Sequence, residues 1–512
     1  MHLDRDPSDS QRHAGWSARA KRRHASYVLP VGETAPLDRL VLAHSPDPAR
    51  ATGVRLIMAG VDAFAWRAIT ARLAQRSLDL QYYIWHDDRT GRLLAHEALQ
   101  AAERGVRVRI LLDDMDARSR YSMLAGLDRH DNVEIRVFNP FVTRSGTLRT
   151  LIEIFARRSR LNHRMHNKAW LADGRIAILG GRNIGDEYFA ASDAVNFIDA
   201  DVLLLGGEVQ AIGDSFDRYW NHAVSVPMAF MRRTARMQHS LQEVRAALLA
   251  HAGSMQDSDY VRELREEAVG HGLDDLARAV IWTQAVRAVV DDPDRALHRV
   301  PVAPGVVESV SAALQQATRE VLITSPYFVP AIWGVAELRR LVTRGVDVAV
   351  LTNSLAATDV AAVHSGYARY RAALLEGGVR LFELKPAPAL GEHDLFLRLG
   401  SSRGSLHTKA IVVDRDRLFV GSFNLDPRSA RLNCEMGVWI EDRVLAQRLT
   451  EVFFESTRPE RSYHVQLGED GRTCWLEVAA TGEVVHGNDP QTGWGRRFVT
   501  WLLQLLPIEA HL

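Results

Sequence analysis

Cysteine is nearly missing: the 512 residues hold only two, Cys434 and Cys474. Two cannot build a disulfide framework or a zinc-ligand pattern, and they suit a reducing compartment. No run of about 18 apolar residues occurs, so no segment reads as a membrane-crossing helix. The N-terminus is polar and charged through Arg23 and lacks the apolar core of a secretory signal. Nor does one sign of charge prevail, since Lys plus Arg and Asp plus Glu number 63 each. That weighs against a nucleic-acid binder, which usually carries a basic surplus, although a local basic cleft would suffice for binding. A hydrophobic share of 46% and a charged share of 25% are ordinary for a globular chain with a buried core.

What the chain does hold is a phrase said twice. His166-x-Lys168-x4-Asp173 returns as His407-x-Lys409-x4-Asp414, and each copy runs into a glycine turn with an asparagine. These are Gly180-Gly181-Arg182-Asn183 and Gly421-Ser422-Phe423-Asn424. The two histidines are 241 positions apart, and so are the two asparagines. The surrounding text repeats as well, Arg104-Gly105-Val106 against Arg344-Gly345-Val346, each following a helical pattern and entering a strand. Strands are expected at Leu78–Trp85, Val133–Phe138 and Ala169–Ala172, with counterparts at Glu320–Pro326, Val379–Leu384 and Ala410–Val413. The fold class is therefore α/β: two pseudo-symmetric lobes, each a mixed, mainly parallel sheet flanked by helices, with one site between them. The expected divisions are a mobile polar lead-in (1–35), a first lobe (36–226), a helical bridge (227–292), a second lobe (293–458) and a tail (459–512). The tail reads as hairpin strands followed by an apolar helix.

A histidine and a lysine two apart on a strand share a face, so both can grip one phosphate; on a helix they would diverge. Attack on a phosphodiester needs a nucleophile, a proton donor to the leaving oxygen and donors that spread the anionic charge. One histidine can attack phosphorus and the other can serve as acid and then base. Lys168 and Lys409 supply charge, and Asn183 and Asn424 supply amide donors to the phosphoryl oxygens. Asp199 and Glu435, each following one motif, are the expected partners for the second ring nitrogens, fixing the tautomer. Asp173 and Asp414 belong to the catalytic phrase, but each precedes a turn, and their expected work is to hold it. This set can complete the reaction with no metal and no cofactor.

These residues resemble the phospholipase D superfamily, in which a duplicated motif of this kind builds one site between two lobes. The text from Gly421 through Arg428 and Ser429, with Asn433 and Glu435, is similar to the bacterial cardiolipin synthase branch. So are Gly180-Gly181-Arg182-Asn183-Ile184-Gly185-Asp186 and Ser325-Pro326-Tyr327-Phe328-Val329-Pro330. Leu351 through Asp359 most resembles the C-type synthases. The likeness covers roughly residues 50 to 512. It implies transfer of a phosphatidyl group, from phosphatidylglycerol or phosphatidylethanolamine, through a phosphohistidine to phosphatidylglycerol, giving cardiolipin. Hydrolysis to phosphatidic acid and nuclease activity use the same motif and stay open. The resemblance implies His166 as nucleophile and His407 as acid and base. It implies phospholipid substrates at an anionic membrane surface, with attachment peripheral to the inner face, no nucleic acid and no obligatory oligomer. Two departures stand out: Gly181-Arg182 where many members have Gly-Ser, and Asp199 where they have Glu.

Three further features lie outside the motifs. Arg157, Arg158, Arg160 and Arg164, with His163 among them, crowd the approach to His166, as a headgroup-attracting or merely solvated basic surface. His364, Tyr367 and Tyr370 fall at helical spacing and are expected in the core or on ordinary surface. Phe498 through Leu506 form an apolar helical run, expected to pack into the core, with insertion at a bilayer interface as the alternative.

Overall fold

A computed structural model describes residues 24–114, 122–140, 163–235, 239–268, 278–297, 304–386, 403–479 and 482–505, with residues 272 and 276 besides. Arg157, Arg158 and Arg160 lie outside the described residues.

The strands of the first half are β1 (Thr52–Ile57), β2 (Ser77–Tyr82), β3 (Arg107–Asp113), β4 (Val133–Phe138), β5 (Ala169–Ala172), β6 (Ile176–Gly180), β7 (Val195–Ile198), β8 (Asp201–Gly206) and β9 (Ser225–Pro227). Then come β10 (Ile281–Thr283), β11 (Val286–Val290), β12 (Glu320–Thr324), β13 (Asp347–Asn353), β14 (Arg380–Leu384), β15 (Arg403–Leu406), β16 (Ala410–Val413), β17 (Arg417–Gly421) and β18 (Met436–Glu441). Last are β19 (Ser462–Leu467), β20 (Thr473–Ala479) and β21 (Gly482–His486). They form two large sheets, ordered β10-β1-β8-β6-β5-β2-β3-β4-β9 and β11-β18-β17-β16-β12-β13-β14-β19-β20-β21. The runs β8-β6-β5-β2-β3-β4 and β18-β17-β16-β12-β13-β14 are the same arrangement built twice, as the repeated text implies.

The expectation of mainly parallel sheets is corrected. Among the described neighbours within the two large sheets, only β2–β3, β3–β4, β12–β13 and β13–β14 pair in parallel, and the rest run antiparallel. Connection length decides which. Helical crossovers such as Arg89–Glu103 and Ala331–Thr343 return the chain to the same edge and give parallel partners. The first of these is capped by Asp88, whose carboxylate accepts the Gly91 N–H at 2.9 Å. It ends at Gly105, as the second ends at Gly345, both with left-handed backbone (φ 93° and 85°) that turns the chain into the next strand. This is the physical content of the repeated Arg-Gly-Val. By contrast β5–β6 and β16–β17 are joined by tight turns, which allow only antiparallel hairpins. Asp173 and Gly174 (φ 52° and 65°), and Asp414 and Arg415 (φ 55° and 58°), take the left-handed backbone that matches hairpin twist.

The two sheets share a core. Alternate residues of the first sheet (Leu171, Leu179, Val202, Leu204) and of the second (Leu322, Leu351, Val412, Val420, Val438) belong to one buried cluster. Each fully buried aliphatic side chain of this kind contributes about 1.5–3 kcal/mol. The opposite faces carry their own helix-covered cores, one per sheet. The layers are therefore helix, sheet, sheet, helix, and the ends of the central strands of both halves meet.

Residues 24–35, the described part of the lead-in, have no regular structure but are bonded to the first half. Asp217 accepts the Val28 N–H at 2.7 Å, and the Gly32 carbonyl accepts Arg175 at 2.7 Å. The helices Leu241–Met255 and Asp259–Ala268 pack on the first half, with Arg245 and Glu103 paired at 2.6 Å. The final hairpin strands extend the second sheet and lead to a helix at Trp494–Gln504.

Candidate active site

Each motif histidine stands just before the short strand that follows it, His166 before β5 and His407 before β16. The backbone there is seized by the other half of the chain. The His166 N–H donates to the Cys434 carbonyl at 2.8 Å, and the Cys434 N–H to the Arg164 carbonyl at 2.8 Å. In the matching place β15 pairs in parallel with β7, Leu406 facing Ile198, and the His407 N–H donates to the Ile198 carbonyl at 2.8 Å. Cys434 precedes Glu435 and Ile198 precedes Asp199. Both carboxylates are thereby delivered to the histidine of the opposite half.

The side chains follow. His166 Nδ1 lies 2.8 Å from Glu435 Oε2, and His407 Nδ1 lies 2.6 Å from Asp199 Oδ2. All four groups are buried. A carboxylate at this distance assigns the proton to Nδ1 and leaves the Nε2 lone pair of each ring for chemistry. The carboxylates are themselves held. Glu435 also accepts from the Ser422 hydroxyl and from Asn433 Nδ2 at 3.1 Å, and Asp199 accepts the Ala200 N–H at 2.8 Å. The sequence named the two acids without showing which ring each serves; the structure exchanges them across the halves.

The lysines complete each half. Lys168 Nζ donates to the His166 carbonyl at 2.6 Å and Lys409 Nζ to the His407 carbonyl at 2.5 Å. Burial, with the nearby lysines, drives the His166 imidazolium down to about 4 against the pull of Glu435, so the ring is neutral near pH 7. Burial and Lys409 also lower His407, against Asp199. Burial takes Lys409 down to about 8 and Lys168 well below the usual lysine range. Burial works against the charge on Asp199 and Glu435, yet each is held below its ordinary value, by His407 and by His166 respectively. Lys409 acts on both His166 and Lys168, which makes the two motifs one electrostatic centre. Burial thus disfavours the positive charges of an empty site, and an arriving phosphodiester restores them.

Asn183 and Asn424 are both buried. One N–H of Asn183 is taken by the Tyr188 hydroxyl at 2.9 Å, leaving its second for a ligand. Asn424 Oδ1 has no hydrogen-bond partner among the described residues. Aromatic rings wall the histidines. Tyr83 meets His166 edge-on at 5.0 Å, Phe197 stacks on His407 at 4.8 Å, and Tyr188 meets it edge-on at 5.3 Å. Tyr327 sits over Lys409 and bonds Asp359 at 2.6 Å. Sequence reasoning did not assign these rings to the site. For Tyr83 and Tyr327 the available signal was their position just past the strands β2 and β12, which flank β5 and β16; Tyr188 and Phe197 lie beyond β6 and in β7, with no such signal.

The motif aspartates are a correction to the catalytic set. Asp173 accepts the backbone N–H groups of Gln75, Arg76 and Ser77 at 2.9, 2.7 and 2.9 Å. Asp414 accepts those of Thr318, Arg319 and Glu320 at 2.9, 2.7 and 3.0 Å. Each sits at the far end of its strand from the histidine and ties the hairpin turn to the start of the neighbouring strand, the structural work expected from its place before a turn. Asp173→Ala strands three donors and leaves a left-handed alanine, a cost of about 3–5 kcal/mol. Expected is a clearly lower thermal midpoint with kcat per folded molecule little changed; an unchanged midpoint with lost kcat would return Asp173 to the chemistry.

Two comparisons bear on the family. The model of the cardiolipin synthase, phospholipase D-like domain matches residues 69–220 and again 310–457. Cardiolipin synthase C of Escherichia coli K12 is 40% identical over 461 residues, 88% of this chain and 94% of that protein. The chain belongs to the cardiolipin synthase family of phospholipase D-like enzymes. Cardiolipin synthase A of Pseudomonas entomophila is 27% identical over 402 residues, covering 78% of this chain and 67% of that one. The crystal structure of phosphatidylserine synthase from Haemophilus influenzae shares the fold, with a TM-score of 0.58 at 13% identity, covering 93% of this chain and 100% of that one.

Within this family the first-half departures acquire a reason. The strand register places Gly180 opposite Asp201 and Gly421 opposite Gly437. The match for Gly421-Ser422 is therefore Gly180-Gly181, as the shared offset of 241 implies, and not Gly181-Arg182. A Cβ on Gly181 would stand 2.3 Å from Asp199 Oδ1. The shorter acid and the missing serine go together. Arg182, fully buried, holds the surrounding loops through the carbonyls of Ile57, Met58, Tyr188 and Asp199.

The remaining features divide. Arg164 and His163 are buried, Arg164 3.4 Å from Asp113, so neither forms the basic surface the sequence suggested. His364 and Tyr367 are buried in the second half, as expected. The helix Trp494–Gln504 is not buried: its apolar residues face outward, against the expectation of core packing.

Proposed function

We propose that this cardiolipin synthase family member transfers a phosphatidyl group between phospholipids, from phosphatidylglycerol or phosphatidylethanolamine to phosphatidylglycerol. The observation that carries the chemistry is the pair of crossed histidine–carboxylate bonds, 2.8 and 2.6 Å long. His166, neutral with Nδ1–H on Glu435, offers its Nε2 lone pair to phosphorus. The phosphorus–oxygen bond to the donor headgroup breaks, and His407, protonated as the anionic substrate enters, gives its proton to the leaving oxygen. Glu435 stabilises the positive charge on the phosphorylated ring. His407, now neutral, takes the proton of the acceptor hydroxyl, whose oxygen attacks phosphorus as the bond to His166 breaks. Lys168, Lys409, Asn183 and Asn424 hold the nonbridging oxygens through both steps. Both half-sites lie in one chain, so no oligomer is required. No helix among the described residues is long and apolar enough to cross a membrane, in keeping with peripheral action at an anionic leaflet, on the inner face.

The test is the product profile of the purified enzyme in mixed micelles of phosphatidylglycerol and phosphatidylethanolamine, in excess chelator. Cardiolipin is the expected product. Phosphatidic acid alone would make the enzyme a hydrolase, and cleavage of DNA under the same conditions would make it a nuclease.

A further inference from the structure

We infer that the helix Trp494–Gln504 is an interfacial helix that seats the mouth of the active site on an anionic phospholipid bilayer. The inference rests on the proposed lipid substrate but concerns a separate surface. Trp494, Phe498, Trp501, Leu502 and Leu505 fall at spacings of four, three, one and three, the stripe of an amphipathic helix. In a globular protein that stripe turns inward. Here it turns outward: Trp494 is 79% exposed, Phe498 and Trp501 53% each, and Leu505 63%, whereas Thr500 on the opposite face is 4% exposed. The helix packs on Ala361–Ala368 through its less apolar side.

It is also held in place. Asp489, shortly before it, is 2.8 Å from Arg371 and 3.3 Å from His364, and Arg371 is 2.9 Å from the buried Glu383. Arg496 donates to the Thr358 carbonyl at 2.7 Å. The next residue, Asp359, accepts the Tyr327 hydroxyl at 2.6 Å, and the Tyr327 ring meets His407 at 6.4 Å. Three contacts thus connect the helix to a catalytic histidine. The chain following Tyr327 exposes a second apolar pair, Ile332 at 79% and Trp333 at 43%. A tryptophan at the first position of a short helix and another in its last turn, leucines beside the second, and Arg496 and Arg497 in the first turn are the composition of a segment lying at the headgroup level of an anionic leaflet. A lipid diester must leave such a leaflet to reach His166 and His407.

The test compares wild type with the triple substitution Phe498→Ser, Trp501→Ser, Leu502→Ser in the full chain. Flotation with vesicles of phosphatidylglycerol and phosphatidylethanolamine should show roughly tenfold weaker binding, with turnover of vesicle lipid falling alongside. Turnover of dihexanoyl phosphatidylglycerol, dispersed as monomers, should hold. Vesicle binding equal to wild type overturns the inference. So does conversion of a dimer to a monomer with vesicle affinity kept, which gives the face to a second copy. If the triple variant does not fold, brominated acyl chains in the vesicles should quench wild-type fluorescence, and Trp494→Phe with Trp501→Phe should clearly reduce that quenching; equal quenching overturns the inference. Turnover of neither vesicle nor dispersed lipid by wild type would instead sink the proposed function.

Discussion

His166→Ala and His407→Ala are each expected to lower phosphatidyl transfer roughly 10⁴-fold or more, the largest effects foreseen for this enzyme. The two losses differ in kind. His166 supplies the atom that bonds phosphorus, so its removal abolishes any covalent adduct when the enzyme is mixed with phosphatidyl-labelled lipid and quenched. His407 moves protons on both sides of that intermediate. Its removal slows formation, which a good leaving group relieves, and slows discharge, so labelled enzyme persists. Acid-labile label in wild type and in His407→Ala but none in His166→Ala is the predicted pattern. Label that survives only in His166→Ala would exchange the two roles. Near wild-type turnover in either variant would break the one-site scheme.

Glu435→Gln and Asp199→Asn are expected to cost about 10³- to 10⁴-fold in kcat, although neither acid touches substrate. An amide in place of Glu435 no longer fixes the proton on Nδ1 of His166 and cannot balance the charge of the phosphorylated ring. The pairing is crossed, so a change in the second half disables the histidine of the first. Glu435→Gln should slow the appearance of label, whereas Asp199→Asn should lengthen its lifetime. An unchanged rate of label formation in Glu435→Gln would refute the crossed assignment. Measured as the midpoint of thermal unfolding, both variants should stay near wild type, because the amides keep the shape and most hydrogen bonds of the acids.

The spacing of histidine, lysine and asparagine was legible because strand geometry puts residues two apart on one face, and the repeat offset fixed the pseudo-symmetry. The choice of partner for each ring was not. Glu435 lies 269 positions from His166 and Asp199 lies 208 from His407, and nothing local signals contacts so distant. Asp173 and Asp414 were legible as turn residues but not as acceptors of three N–H groups from another strand. The balance of parallel and antiparallel neighbours was misjudged because strand–helix alternation dominates the text, while the tight turns at Asp173-Gly174 and Asp414-Arg415 occupy few letters. The final helix shows the same limit. Its period was visible as an apolar stripe, but periodicity reports a face and not what that face meets.

The exchange of acids makes lobe closure and catalytic competence a single event. While the ribosome has released only the first lobe, His166 has no counter-acid and Asp199 has no ring to steady. Each half of this chain is chemically mute alone, and the capacity to cut a lipid diester arrives at once, when residue 435 takes its place. A parting of the lobes would unseat both rings together, because the acid that steadies each one lies on the opposite half.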